Sequence, residues 1–374
     1  MRILLVFGTR PEAIKMCPLI LELKRHSDID CKVCLTGQHR EMLDQVMEAF
    51  EIKADYNLNI MHERQTLSSV TTAILEKIGD VLEREKPDIV LVHGDTTTSF
   101  AAALAAFYHQ IPVGHVEAGL RTGNIYSPFP EEMNRLLTGR LATYHFAPTE
   151  RNRANLQKEN IEKNVFVTGN TVIDAFKITV KENYQFHNSV LRDIDYKNRR
   201  VILLTAHRRE NFGAPLESIC LAVKKLAEEY DDIEIIYPVH LNPVVKEGVY
   251  PILDGRKRVK LVEPLDVWDM HNLLARCFLV MTDSGGLQEE APSFGKPVLV
   301  LRTETERPEA VEAGTVKVVG VEEEDIFSAA RLLLEDEAEY RKMAHAVNPY
   351  GDGHACERIA AILSERNELW KKCF

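Results

Sequence analysis

Six short blocks of this chain combine glycine turns with cations, carboxylates and histidine, and those residue types set the chemistry open to it. The first half carries GTRPEAIK from Gly8, HGDTTT from His93 and HVEAGLRT from His115. The second half carries HRRENFG from His207, DSGGLQEEAP from Asp283 and TERPE from Thr305. Arg10, Lys15 and Arg307, with Arg208 and Arg209 beside His207, are cations of the kind that grip phosphate, a guanidinium doing so with two N–H groups at once. Ser284, Gly285 and Gly286 form a turn whose backbone N–H groups can cradle a diphosphate with no side chain in the way. Glu290, one helical turn on, could accept from ribose hydroxyls. Asp95, Glu117 and Glu131 are carboxylates that a cleft can tune for general acid and base work. Asp95 could equally cap the TTTSF helix, and a lone His207 could be structural. Glu117 sits between apolar strand residues and a glycine, where a buried charge needs a purpose. Cations for phosphate and carboxylates for proton transfer suggest one cleft lined from two sides.

These side chains need rigid elements behind them. MRILLVFG, CKVCLTG, PDIVLVHGD, IPVGHVEAG and ATYHFAPT read as strands apolar on both faces, separated by helical patterns such as Pro11 to about His26, Ser99 to Tyr108 and Glu131 to Gly139. That alternation predicts a parallel sheet with helices on both sides. The rhythm restarts after Gly169 with VFVTGN, RRVILLTAH, IEIIYPVH, RVKLVEP, CFLVMTDSG and KPVLVLR. The expectation is two Rossmann-like domains, 1–170 and 171–354, with an amphipathic helix at 355–374 that could cross back to the first. Nearly every block follows a strand, and in open parallel sheets ligands sit beyond the carboxyl ends of the strands.

Size and composition narrow the function. A chain of 374 residues fits two domains of ordinary size. The net charge of −11 argues against a nucleic-acid partner. No secretory signal and no stretch as long as a membrane span is visible, so the cytoplasm is expected. Seven single cysteines make no disulfide framework. Cys31 and Cys34 form a C-x-x-C, but on a strand they face opposite sides and read as buried apolar thiols. GTRPEAIK is not G-x-G-x-x-G, so no dinucleotide cofactor is indicated.

Taken in order, GTRPEAIKMCPLI, TGQHREMLDQV, HGDTTT, HVEAGLRT, PFPEEMNR, HRRENFG, YPVHLNP, TDSGGLQEEAPS, TERPEA and NPYGDG closely resemble the bacterial non-hydrolysing UDP-N-acetylglucosamine 2-epimerases over almost the whole chain. The resemblance implies a GT-B fold, with two parallel sheets facing a central cleft, and a homodimer. It also implies interconversion of UDP-GlcNAc and UDP-ManNAc without NAD, any other cofactor or a metal. It makes Arg10, Lys15, His207, Ser284, Gly285, Gly286, Glu290 and Arg307 binders of the UDP part and puts Arg135 near the sugar. Asp95, Glu117 and Glu131 match the family's catalytic carboxylates, and His207 also matches a residue implicated in catalysis. Gln38, His39 and Arg64 fall on positions associated with a second, activating UDP-GlcNAc.

The proton at C2 of such a sugar is not next to a carbonyl. If the bond from C1 to UDP stretches first, C1 gains positive character and the C2 proton becomes acidic. Cations and the glycine turn would then stabilise departing UDP. A GT-B glycosyltransferase, a hydrolysing epimerase and an inactive nucleotide-sugar sensor are the competing readings, the last disfavoured by three carboxylates.

Overall fold

The computed structural model describes residues 1–37, 40–61 and 65–373, with side chains outside 40–42 and 366–373. By contact they divide into two compact units, Met1–Ile178 with Tyr350–Phe374, and Thr179–Pro349. The first division thus falls at the end of a helix rather than near residue 170.

In the first unit the elements run β1 (Arg2–Phe7), α1 (Arg10–Leu23), β2 (Asp30–Leu35), α2 (Arg40–Ala49), β3 (Tyr56–Asn57), α3 (Leu67–Glu85), β4 (Ile89–His93), α4 (Thr97–Tyr108), β5 (Val113–Val116), α5 (Glu131–Leu141), β6 (Tyr144–Ala147), α6 (Glu150–Lys158), β7 (Val165–Val167) and α7 (Thr171–Thr179). The second unit runs α8 (Ser189–Arg192), β8 (Arg200–Thr205), α9 (Ala214–Glu229), β9 (Ile233–Pro238), α10 (Pro243–Leu253), β10 (Val259–Val262), α11 (Val267–Arg276), β11 (Leu279–Thr282), α12 (Gly285–Glu290), β12 (Val298–Val300), α13 (Pro308–Ala313), β13 (Val316–Val318), α14 (Glu323–Glu335) and α15 (Glu337–Ala344). The chain then returns as α16 (Ala355–Cys373) to the first unit.

All strand pairs are parallel, in the orders β3-β2-β1-β4-β5-β6-β7 and β10-β9-β8-β11-β12-β13. VFV, read from sequence as opening the second sheet, closes the first as β7. The sixth strand of the second sheet is β13, which pairs with β12. Neither it, at three residues, nor the two-residue β3 has the length that marks a strand in sequence.

The first sheet is buried on both faces. Ile3, Leu5 and Phe7 of β1 pack with Met16 and Ile20 of α1 and with Cys356, Ile359, Ala360 and Leu363 of α16. Leu4 and Val6 face the other way, onto Ile74 and Ile78 of α3 and the alanines of α4. Cys31 and Cys34 join opposite cores, and burial pushes both thiols up to about 12. The start of α16 is fixed by the buried carboxylate of Asp174 on α7, which accepts from the backbone N–H groups of Ala355 (3.1 Å) and Cys356 (2.9 Å). In the second unit β8 and β9 pack onto Leu216, Ile219, Val223 and Leu226 of α9 and Ile326 and Ala330 of α14.

In each sheet the strand order reverses beside the central strand, between β1 and β4 and between β8 and β11. A crevice opens at the carboxyl end of such a switch point. The loops that leave those ends carry Thr9 and Arg10, Asp95, His207 and Arg208, and Ser284 to Gly286.

Candidate active site

At the carboxyl end of the first sheet, β5 delivers Glu117. Its φ is +63°, a left-handed conformation that costs a non-glycine residue about 1–2 kcal/mol. Gly119 follows at φ +93°, where a Cβ would stand 2.2 Å from the Asn152 carbonyl, so only glycine lets the chain turn there. The turn sets the Glu117 carboxylate against three nitrogens. Lys15 of α1 donates to Oε2, Asn170 Nδ2 donates to it at 3.0 Å, and His93 Nε2 lies 3.5 Å away. Burial works against ionisation of Glu117. The Lys15 ammonium and His93 override it and hold the carboxyl well below the usual carboxylate range.

Asp95 follows β4 but does not cap α4. Thr96 does, its side chain accepting from Ser99 N at 3.1 Å. Asp95 is instead gripped by buried Arg135 of α5, whose Nε (2.9 Å) and Nη2 (2.6 Å) both donate to Oδ2. Arg135 Nη1 donates at 3.0 Å to Glu132, also buried, whose other oxygen accepts from Thr122 N (3.0 Å) and Gly123 N (3.1 Å). One guanidinium therefore ties Asp95 to the loop that leads from Glu117 to α5. Glu131, the half-buried first residue of α5, stands at the end of that loop.

Arg10 opens α1, and its turn is held by buried Glu12, which accepts from the backbone of Gly8 (3.0 Å) and Thr9 (2.8 Å) and from the Thr96 hydroxyl (2.7 Å). One carboxylate thus joins the loops after β1 and β4. His115, beneath Glu117 on β5, contacts the Gly94 carbonyl through Nε2 at 2.7 Å, and burial pushes it down to about 3, so it is neutral.

At the carboxyl end of the second sheet, buried Asp283 ends β11. Its Oδ2 accepts from the backbone N–H groups of His207 and Arg208, both at 2.7 Å, and from Asn211 Nδ2 at 3.1 Å. The HRREN loop is thereby moulded around one carboxylate. His207 stacks on His240, with ring centroids 5.3 Å apart and planes at 12°.

Ser284 precedes α12 and Gly285 and Gly286 open it. A Cβ on Gly285 would meet Arg307 Nη2 at 3.5 Å and Arg208 Nη2 at 3.7 Å, so two guanidiniums lie over the turn. Arg307 is buried and held by a hydrogen bond from Nε to Glu289. Arg208 leans 3.8 Å from Glu306. The Glu290 carboxylate lies 3.9 Å from His271 Nε2, and a Cβ on Gly286 would stand 3.2 Å from its Oε1. A phosphate would find two positive groups and the first N–H groups of α12 at this turn, the Ser284 N–H itself being held by Thr282 Oγ1 at 2.9 Å.

The structure thus brings Lys15 to Glu117, Arg135 to Asp95, and Arg208 and Arg307 to Gly285. Gln38, His39 and Arg64 lie outside the described residues. Sequence reading missed His93, Glu132, Asn170, Asp283 and His240 as partners. His93 and Asp283 left a signal, a polar residue at the apolar end of a strand. Glu132 left one too, an acid three residues before Arg135 on one helix face, whereas Asn170 left none, because its partner Glu117 is 53 positions away.

Two parallel α/β sheets with charged groups gathered at the carboxyl ends of their switch-point strands define an enzyme of the GT-B fold class. The family model described as UDP-N-acetylglucosamine 2-epimerase matches residues 21–364. The chain belongs to that family. It is 57% identical over 364 residues to the UDP-N-acetylglucosamine 2-epimerase of Bacillus subtilis, covering 97% of this chain and 95% of the relative. A crystal structure of UDP-GlcNAc 2-epimerase from Neisseria meningitidis bound to UDP-GlcNAc is 52% identical with a TM-score of 0.90, over 98% of this chain and all (100%) of the other. The Methanocaldococcus jannaschii UDP-GlcNAc 2-epimerase in complex with UDP-GlcNAc and UDP is 37% identical with a TM-score of 0.82, over 98% and 100%. Among the described residues no helix is long and apolar enough to cross a membrane.

Proposed function

We propose that the chain interconverts UDP-GlcNAc and UDP-ManNAc by eliminating and re-adding UDP, as a cytoplasmic homodimer that supplies ManNAc units for cell-surface polysaccharide. One observation carries the chemistry. Asp95 and Glu117 are each held beside a cation, buried Arg135 and half-buried Lys15, at the ligand end of the first sheet. The Lys15 ammonium keeps Glu117 ionised, and Arg135 fixes where the Asp95 carboxylate points. The Neisseria relative's binding of UDP-GlcNAc supports the substrate.

In this reading Arg208, Arg307, His207 and the Ser284–Gly286 turn take the UDP part, with Arg10 and Lys15 adding charge and Glu290 accepting from the ribose. As the C1–oxygen bond breaks, its electrons stay with UDP and a carboxylate takes the C2 proton, leaving 2-acetamidoglucal. The positive groups stabilise the charge gathering on UDP. A second group then delivers a proton to C2 from the opposite face while UDP adds back to C1. Asp95, Glu117, Glu131 and His207 are the groups for these transfers. A second UDP-GlcNAc acts as activator through Gln38, His39 and Arg64.

Incubation with UDP-GlcNAc alone in deuterated water tests this. The expected products are UDP-ManNAc and UDP-GlcNAc, both deuterated at C2, without stoichiometric free UDP. Product without C2 deuterium overturns the elimination. One UDP released per sugar indicates a hydrolysing enzyme, and dependence on an acceptor indicates a transferase.

A further inference from the structure

Asp283 has two carboxylate oxygens with different surroundings. Oδ2 is saturated by the three donors of the HRREN loop. Oδ1 is buried, with no hydrogen-bond partner among the described residues. A buried carboxylate oxygen left in that state is costly and calls for an explanation. The atom facing it is His207 Nδ1, 3.7 Å away. The two are too far apart for a hydrogen bond, and a small rotation of the imidazole would make one. Catalytic hydrogen bonds are often long before the ligand arrives.

The ring is held for that motion. Its backbone N–H is tied to Asp283, and its face lies on His240. The preceding carbonyl, of Ala206, accepts from the Tyr237 hydroxyl at 2.6 Å. The His207 side chain is 38% exposed while Asp283 is fully buried, so the ring separates an interior carboxylate from the surface. Asp283 is also joined directly to Ser284 and Gly285, the turn beneath Arg208 and Arg307.

We infer that Asp283 is a positioning residue that acts through His207, keeping a proton on its Nδ1 so that Nε2 can take a proton from solvent when the diphosphate binds and donate it in a hydrogen bond to that anion. The inference rests on the diphosphate reading of this turn. The charged and titratable groups around the imidazole are Asp283 at the end of β11, His240 after β9, and Arg208 on its own loop. Burial, His240 and Arg208 disfavour the imidazolium, and Asp283 alone favours it. A Nδ1 proton held by a buried carboxylate fixes the tautomer and supports a positive ring when charge develops nearby.

Asp283→Asn is nearly isosteric. Its amide oxygen can keep the three loop bonds, while its NH2 group faces Nδ1 and reverses the polarity there. Nitrogen-15 spectra of the full chain read the tautomer directly, with His207 assigned by the resonance that His207→Gln removes. The expectation for the unsubstituted protein is a neutral His207 carrying its proton on Nδ1. In Asp283→Asn the proton moves to Nε2 and the imidazole pKa falls by about one unit or more. Turnover of UDP-GlcNAc falls by about tenfold or more with little change in KM. A Nε2-protonated His207 in the unsubstituted protein overturns the inference, and so does an unchanged tautomer and pKa in the variant. If the variant does not fold, the spectrum of the unsubstituted protein still decides. A protein that fails to epimerise but shows the Nδ1 proton and its loss would overturn the proposed function and leave the pairing standing.

Discussion

Replacing Lys15 with Met removes a charge and keeps most of the apolar stem. Lys15 and Glu117 have side chains only 13% and 11% exposed, so the pair sits outside the regime in which solvent screening makes ion pairs negligible. Two unit charges about 4 Å apart attract by about 4 kcal/mol at an effective dielectric of about 20. Removing one partner of a buried pair typically costs about 3–5 kcal/mol, because the other charge is left stranded. Asn170 at 3.0 Å and His93 at 3.5 Å remain beside Glu117 and soften the loss. The expected cost near neutral pH is therefore about 2–4 kcal/mol. The pH dependence is the sharper test. In the unsubstituted protein the Glu117 carboxyl is held below its ordinary range, so its contribution is complete above the unfolded value of about 4.3 and lost as pH falls through the folded value. In the variant burial is the main influence left and raises the carboxyl, so acidification relieves the stranded charge by protonating it. The stability gap, read from guanidinium denaturation followed by far-ultraviolet dichroism, should be largest at about pH 8 and narrow towards about pH 5. Adding Glu117→Gln to the Lys15→Met protein should recover part of the loss. A gap constant across that range, or a double variant no more stable than the single one, would refute the account of Glu117 as an ion held by Lys15.

Asp95→Asn should lower turnover by about 100-fold or more, while calorimetric titration with UDP gives an affinity close to the unsubstituted value. Its partners, Arg135 and Asn134, belong to the first unit, whereas the residues assigned to the diphosphate lie mainly in the second. Retained turnover would remove Asp95 from the proton transfers. Gly285→Ala should fold with little loss of stability, since its new methyl group would stand 3.5 Å from Arg307 and 3.7 Å from Arg208, ordinary contact distances. The same methyl occupies the space a phosphate would take, so UDP affinity should fall by about tenfold, about 1.4 kcal/mol. Unchanged affinity would place the diphosphate elsewhere.

The parts of this architecture legible in the sequence are those written in local pattern. Apolar runs such as RILLVF and RVILLT are long enough to declare central strands, and glycine turns after them declare the ligand end of the sheet. Lys15, Glu117, Arg307 and Gly285 were visible as residue types in the right places. Their partnerships were not. Glu117 is fixed by Asn170, 53 positions on, and Asp95 by Arg135, 40 positions on. Such pairings depend on how β4, β5 and the start of α5 lie side by side, which periodicity does not encode. Asp95 shows the same limit. Asp and Thr both cap helices, and only the backbone places Thr96 at the cap and frees Asp95 for Arg135. VFV was assigned to the wrong sheet because three apolar residues carry no information about which neighbour they will pair with.

The distribution of charge within each unit separates stability from function. Arg2 with Asp30, and Arg200 with Asp232, close the amino ends of β1 and β8 at 2.8 Å and 2.7 Å. Both pairs are solvent-exposed, a setting in which ion pairs contribute about 0–1 kcal/mol and are easily exchanged. At the carboxyl ends the pairs are buried or nearly so: Arg135 with Glu132 and Arg307 with Glu289 fully, Lys15 with Glu117 largely. Pairs of that kind are often no more stabilising than apolar side chains of the same volume, because desolvation consumes the attraction. A sequence shaped for stability alone would gain nothing by concentrating them at one end of each sheet. They are accounted for if ionised carboxylates and fixed guanidiniums must be ready before a charged ligand arrives, since preorganised charge needs no rearrangement when the bond to the leaving group breaks.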